Sequence, residues 1–478
     1  MFPFTILIFF YIIYINIEQI YNEVTNMEAP IYSRLKKYFD SDKISFAMPG
    51  HKNGRGLNGD LLCCDVTELD STLNLFSDDE TITQANSLLS AAYGSDKSYI
   101  LTCGSTVGIQ AMLAAVLSPG DTLLAASDCH MSVINTCAVC GYNLRLIPTS
   151  IDPEFFIPQQ LADIERALND LNDIRAVIVT SPTYYGICRD IERLADICHK
   201  RRIPLLVDEA HGAHFAVSDR FPKNALRLGA DACVNSAHKT LNAFTGAAYL
   251  HVRGSLINRR RLNEAVRMFH TSSPSYVIAA SADIARAELE MSGKWENLCD
   301  MCTGFRQRLE AVTYIRFLDN DDPTRLVLNF TAYDTTGFEV ARQLSQKYGI
   351  DVEMADMVNI VLIATVSNTG DDFMTLFNAL NDIVDSFSVR LKQIKFLQPP
   401  AQGAKIYPQK AFYSDSSQIS LSAAAGRISA STVTAYPPGI PIICAGESIS
   451  PQQIVYISYL KSIGASITGL EGDKIAVV

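Results

Sequence analysis

Lys239 stands between His238 and Thr240 in a stretch of small residues, a setting that suits an amine with a lowered pKa. Asp208 follows Leu205-Leu206-Val207, so its carboxylate falls at the edge of a core, where it needs a cationic partner or takes up a proton. Gly104-Ser105-Thr106 opens a helical pattern. Backbone N–H groups and two hydroxyls at a helix N-terminus make a phosphate seat, and the same tripeptide also serves as a plain N-cap. His130 offers a ring that can stack on a planar ligand, although a single histidine is more often a core or surface residue. Thr183, His211, Ser236 and His238 complete the set. One cofactor uses all of these together. Pyridoxal phosphate needs a phosphate cup, a lysine for the Schiff base, a carboxylate against the pyridine nitrogen and a ring on its face.

The elements that must position these residues are short apolar runs alternating with helical patterns. Strands are expected over 97–103, 122–127, 143–148, 174–180, 203–210, 231–236 and 246–252. Helices are expected after residue 104, up to Gly141, and over 158–170 and 190–201. Such alternation implies a mostly parallel sheet covered on both faces, with no internal repeat. Ligands of these sheets sit beyond the carboxyl ends of the strands. Gly104-Ser105-Thr106, then Asp128 and His130, then Ser181, Thr183 and Tyr184 each follow such an end. So do Asp208, Glu209 and His211, and finally Ser236, His238 and Lys239. One rim receives all five groups.

Two other readings of the same residues fail. LLVDEAH matches the acidic box of a helicase, but the only Gly-Lys, Gly293-Lys294, runs into Trp295, so no phosphate loop accompanies it. A metal site built from Asp208, Glu209, His211 and His214 leaves Lys239 and the Gly-Ser-Thr turn without a role, and no metal is expected.

The 478 residues carry a net charge of -11 with no basic run, which argues against a nucleic-acid or anionic-membrane partner. That length supports two or three domains around a large core. Twelve cysteines are spread along the chain, and the pairs Cys137/Cys140 and Cys299/Cys302 lie far apart in helix-like sequence. They read as buried reduced thiols, and the cytoplasm is the expected compartment. Residues 2–15 are almost all apolar, yet the run is short of the ~20 residues of a spanning helix. No basic residue precedes it and no small-residue cleavage site follows. Met27 is the expected start, with 1–26 an extension outside the fold and a membrane anchor the rival reading.

Taken together, FAMPGHKNGRG (46–56), GSTVGIQA (104–111), DCHMSVINT (128–136), SPTYYGICRDI (181–191), LLVDEAHGAHF (205–215), NSAHKTL (235–241), SSPSY (272–276) and AGRISASTVTAYPPGIPIICAGE (425–447) resemble a known family. The chain is similar to the bacterial Orn/Lys/Arg decarboxylases, fold type I pyridoxal-phosphate enzymes, in their short form without an N-terminal wing domain. The resemblance starts at Met27 and runs nearly to the end.

It implies an α/β fold: an aspartate aminotransferase-like large domain with a mostly parallel sheet, plus a smaller α/β C-terminal domain. The expected division is an arm over 27–60, a cofactor-binding domain with a linking helix over 61–310, a small α/β domain over 311–395 and a C-terminal decarboxylase segment over 396–478. By resemblance Lys239 is the Schiff-base lysine, Asp208 the partner of the pyridine nitrogen and His130 the stacking ring. Ser105, Thr106, Ser236 and His238 match the phosphate cup and its surroundings, while Thr183 and His211 line the cofactor ring. Ser272 and Ser273 match a segment that approaches the neighbouring subunit's phosphate, so a homodimer is the smallest expected unit. Two positions depart from the family: Met131 replaces a common Lys after His130, and Ala445-Gly446-Glu447 replaces Pro-Gly-Glu.

The activity implied is α-decarboxylation of a basic amino acid, with arginine to agmatine favoured over lysine or ornithine, and polyamine biosynthesis or acid resistance as the physiological route. Glu447 is a candidate acceptor for the substrate's distal cation. Transamination or aldol cleavage on the same cofactor is the alternative, and a non-catalytic cofactor-binding protein a weaker one.

Overall fold

The computed structural model describes residues 29–40, 64–69, 71–77, 79–161, 164–170, 173–390, 397, 400, 405–435 and 440–478. The expected extension over 1–26, the motif at 46–56 and residues 436–439 of the YPPGIP run lie outside the described residues.

Seven strands build the large sheet: β1 (Lys97–Leu101), β2 (Thr122–Ala126), β3 (Asn143–Ile147), β4 (Ile174–Thr180), β5 (Leu205–Asp208), β6 (Ala232–Asn235) and β7 (Ala248–Val252). Their order is β1-β7-β6-β5-β4-β2-β3, and the short strand Lys405–Ile406 pairs with the outer edge of β3. The run from β6 through β5, β4 and β2 to β3 is parallel, while β7 is antiparallel to both its neighbours. Every residue of β2, β5, β6 and β7 is buried, as a sheet covered on both faces demands. Helices Gly104–Val116 and Arg259–Phe269 contribute to the core on one face, and Ile164–Asp170 and Ile191–His199 to the core on the other.

Gly108 is where helix Gly104–Val116 meets the sheet. A Cβ at that position would lie 2.4 Å from Val234 Cγ2 of β6, so the absent side chain is what permits this approach. The contact sets the distance between the first turn of the helix and the residues that follow β6.

A second, antiparallel sheet orders Arg316–Phe317, Arg325–Asn329, Asn359–Ile363 and Met354–Ala355, with helices Gly337–Tyr348 and Gly370–Asp385 beside it. The chain closes with small sheets and helix Pro451–Ser462, which share their own core.

Two expected helices differ from what forms. The linking helix expected before residue 310 is two helices, Tyr276–Glu288 and Ser292–Val312, separated by Leu289-Glu290-Met291. The helix expected over 158–170 occupies only Ile164–Asp170; Pro158–Leu161 instead pairs with Thr149–Ile151, with proline at a strand start, where its missing donor is tolerated. Among the described residues no helix is long and apolar enough to cross a membrane.

Candidate active site

The carboxyl ends of β2, β4, β5 and β6 converge on a cavity of about 160 Å³. Ser105, His130, Thr183, Asp208, His211 and Lys239 all line it. β6 ends at Asn235, and the four-residue helix Ala237–Thr240 then carries Lys239 to the cavity. Its Nζ lies 3.1 Å from His211 Nε2. Burial lowers the Lys239 pKa; Asp208 and Glu353 oppose that shift and Arg325 reinforces it. Asp208 is the last residue of β5, is buried, and accepts the Ala210 N–H at 3.1 Å.

His130 is the N-cap of helix Met131–Cys140, and its Nδ1 accepts the Ser132 N–H at 3.2 Å. That bond fixes the ring at the end of β2. Burial lowers its pKa, with Asp208 opposing and Lys239 reinforcing. His211 is held well below the usual histidine range, first by burial and then by the cations Lys239 and Arg325. Arg325 Nη2 reaches His211 Nδ1 at 3.2 Å from the far side of the ring. The Tyr184 ring stands edge-on to His211, with centroids 4.8 Å apart, and the Tyr184 hydroxyl donates to Glu353.

The residues expected to form a phosphate cup start from the N-terminus of helix Gly104–Val116. No side chain caps helix Gly104–Val116, and Gly104 has φ +77° with open space where a Cβ would stand. Ser236 Oγ donates to Ser105 Oγ at 2.8 Å, which brings the end of β6 to the first turn of that helix. Thr106 is exposed in the same turn. His238 donates from Nδ1 to the Ala247 carbonyl at 2.9 Å and does not line the cavity. An uncapped helix N-terminus with two hydroxyls, a desolvated amine, a buried carboxylate and a fixed ring form the donor set that pyridoxal phosphate requires, so the residues fit the cofactor.

Other expected residues lie elsewhere. Glu447 is buried in the C-terminal part, accepts from the Cys444 N–H at 2.8 Å and from Gln453 Nε2 at 3.0 Å, and does not line this cavity. Ser272 and Ser273 are exposed and also outside it. Glu209 turns into the core, where it accepts from the Ala225 N–H and Asn235 Nδ2; burial pushes its pKa up to about 8.

Three participants escaped sequence reading: Arg325, Glu353 and Arg189. Arg325 opens a strand of the second sheet and Glu353 immediately precedes another, both far along the chain, and no spacing connects them to Lys239. Asp128, noted for its place after β2, and Arg189 form a buried ion pair, Nη2 to Oδ2, in which burial raises the Asp128 pKa and Arg189 opposes. Glu353 and Asp128 both line the cavity.

Residues 29–331 match the family described as Orn/Lys/Arg decarboxylase, major domain, and residues 392–473 match its C-terminal domain. An arginine decarboxylase of Bacillus subtilis is 30% identical over 476 residues, covering 94% of this chain and 97% of that protein. The lysine decarboxylase LdcF of Francisella novicida superposes with a TM-score of 0.79 at 19% identity, over 95% of this chain and 81% of that one. A structure described as SPT with PLP gives a TM-score of 0.53 at 15% identity, over 74% and 83%. The fold is therefore that of the fold type I pyridoxal-phosphate enzymes, and the chain belongs to the Orn/Lys/Arg decarboxylase family.

Proposed function

We propose that this protein decarboxylates arginine to agmatine, with lysine and ornithine as the next candidates. The observation that carries the reading is the meeting of Lys239, Asp208 and His130 in one cavity that two further carboxylates, Glu353 and Asp128, also line. Among the described residues no arginine lines that cavity. Such a surface attracts a cationic side chain and repels an acidic one. The matched Bacillus protein named as an arginine decarboxylase supports arginine among the three.

Each residue has a role in this scheme. The bound cofactor supplies a conjugated ring that takes up the electron pair left when CO2 departs from Cα. Lys239 is the amine that would hold the cofactor, and burial lowers its pKa, which favours the uncharged form. Asp208 would hold a proton on the pyridine nitrogen by charge. The first turn of helix Gly104–Val116, with Ser105 and Thr106, would anchor the phosphate, and His130 would cover one face. Lys239 and His211 are the groups placed to return a proton to Cα. Glu353, with Tyr184 donating to it, is the carboxylate in this chain best placed to receive the distal cation. A homodimer is the minimal unit we infer: Ser272 and Ser273 are exposed on this chain, as residues that serve a neighbour's phosphate would be.

The test uses purified protein with pyridoxal phosphate, assayed separately for CO2 and amine from arginine, lysine and ornithine, with Lys239→Ala as control. Agmatine from arginine alone, lost in the variant, is the expected result. Cofactor bound through Lys239 with no CO2 from any substrate would overturn the decarboxylase reading and leave transamination or aldol cleavage.

A further inference from the structure

The His211 ring lies between two basic side chains, which is an unusual place for an imidazole. Arg325 Nη2 is 3.2 Å from Nδ1, and Lys239 Nζ is 3.1 Å from Nε2. A guanidinium can only donate, so Nδ1 must accept, and the single proton of the neutral ring must then sit on Nε2. An Nε2–H facing Lys239 needs an acceptor, and an amine accepts only when it is uncharged. If Lys239 instead carried a proton and donated to Nε2, the ring proton would move to Nδ1 and face the guanidinium. That alternative is costly here. Arg325 is fully buried, and its Nε and Nη1 have no partner among the described residues, so the His211 bond is the one its side chain makes there.

We propose that Arg325 is a positioning residue that locks His211 as the Nε2–H tautomer and so holds Lys239 as a free amine. It acts through the histidine, since it does not itself line the cavity. The inference rests on the reading of Lys239 as the amine that carries the cofactor, but not on which bond of the substrate breaks. The surrounding charges are consistent with it. His211 also faces His130, His238 and the Tyr184 ring. Lys239 faces Asp208 and Glu353, which favour its charged form, against burial and Arg325. Arg325 has Asp322, Tyr184 and Glu353 as its own counter-groups.

Two measurements on the full-length protein without cofactor test this. The first needs no variant: nitrogen-15 NMR of labelled histidines, with His211→Gln for assignment, should show a pyridine-type Nδ1 and a pyrrole-type Nε2. The opposite pattern overturns the proposal. The second is competitive acylation of Lys239 as a function of pH, read by peptide mass spectrometry. Arg325→Met should raise the apparent Lys239 pKa by about one unit, which is roughly tenfold slower labelling near neutral pH. Arg325→Lys, which keeps a buried cationic donor, should restore most of the rate. An unchanged Lys239 titration in Arg325→Met refutes the lock. Neither readout depends on CO2 release, so failure of the decarboxylase assay with both readouts as expected would count against the substrate and not against Arg325.

Discussion

His211 and His214 are three residues apart in one loop after β5, both are buried, and their neighbours give them opposite work. His211 has two basic side chains, Lys239 and Arg325, one on either side, and one edge on the cavity. His214 has a carboxylate: its Nε2 lies 3.2 Å from Asp322 Oδ1, and its ring stacks on Trp295 at 12° with edges of Phe215 and Phe221 around it. Burial alone would raise the Asp322 pKa, yet His214, Arg325 and the Thr324 hydrogen bond hold it at about 2. The same residue type thus lines a cavity between basic side chains in one place and packs against a carboxylate among aromatic rings in the other. What separates them is the sign of the adjacent charge and the presence of an open volume.

The comparison breaks if the two substitutions behave alike. His214→Ala removes one partner of a buried pair and should cost about 3–5 kcal/mol, seen as a large fall in melting temperature. His211→Gln, whose side-chain carbonyl can still accept from Arg325, should cost only about 1 kcal/mol in the same melt while lowering turnover by about 100-fold or more. Equal melting shifts for both would show that His211 is structural too.

Acid sharpens the contrast. Asp322 titrates at about 2 in the folded chain against an ordinary 3.8, so its contribution is present above the ordinary value and is lost as pH falls toward 2. The shift is worth about 2 kcal/mol. The stability gap between wild type and Asp322→Asn should therefore narrow from pH 4 to pH 2. A gap that stays constant over that interval would mean the pair contributes by packing alone. The smallest expected effect is Trp295→Phe, which keeps an aromatic face under His214 and should cost about 1 kcal/mol or less beyond its lost area, with turnover unchanged. A fall in turnover there would tie the His214 cluster to the chemistry.

How much of this was legible in sequence depends on how far a signal reaches. Ser105, His130, Thr183, Asp208, His211 and Lys239 could be found because each lies at or shortly after the carboxyl end of a strand of a mostly parallel sheet, and that edge gathers such residues in space. The fold class followed from the same alternation. Arg325 and Glu353 could not be found, because they come from a second sheet whose placement over the first leaves no period or spacing in the chain. The difference between His211 and His214 was equally hidden, since only tertiary contact brings Asp322 and Trp295 to one and Arg325 and Lys239 to the other. The break between Tyr276–Glu288 and Ser292–Val312 falls at Leu289-Glu290-Met291, three good helix formers, so local propensity gave no sign of it.

Gly108 has a consequence for the ligand and not only for the fold. The anchoring turn lies one helical turn before this glycine, and the reactive amine lies five positions after the valine it touches. One missing methyl group therefore sets the distance between the first turn of that helix and Lys239, and in the proposed function it would fix how long a rigid molecule with an anionic tail and a reactive carbonyl must be to reach both.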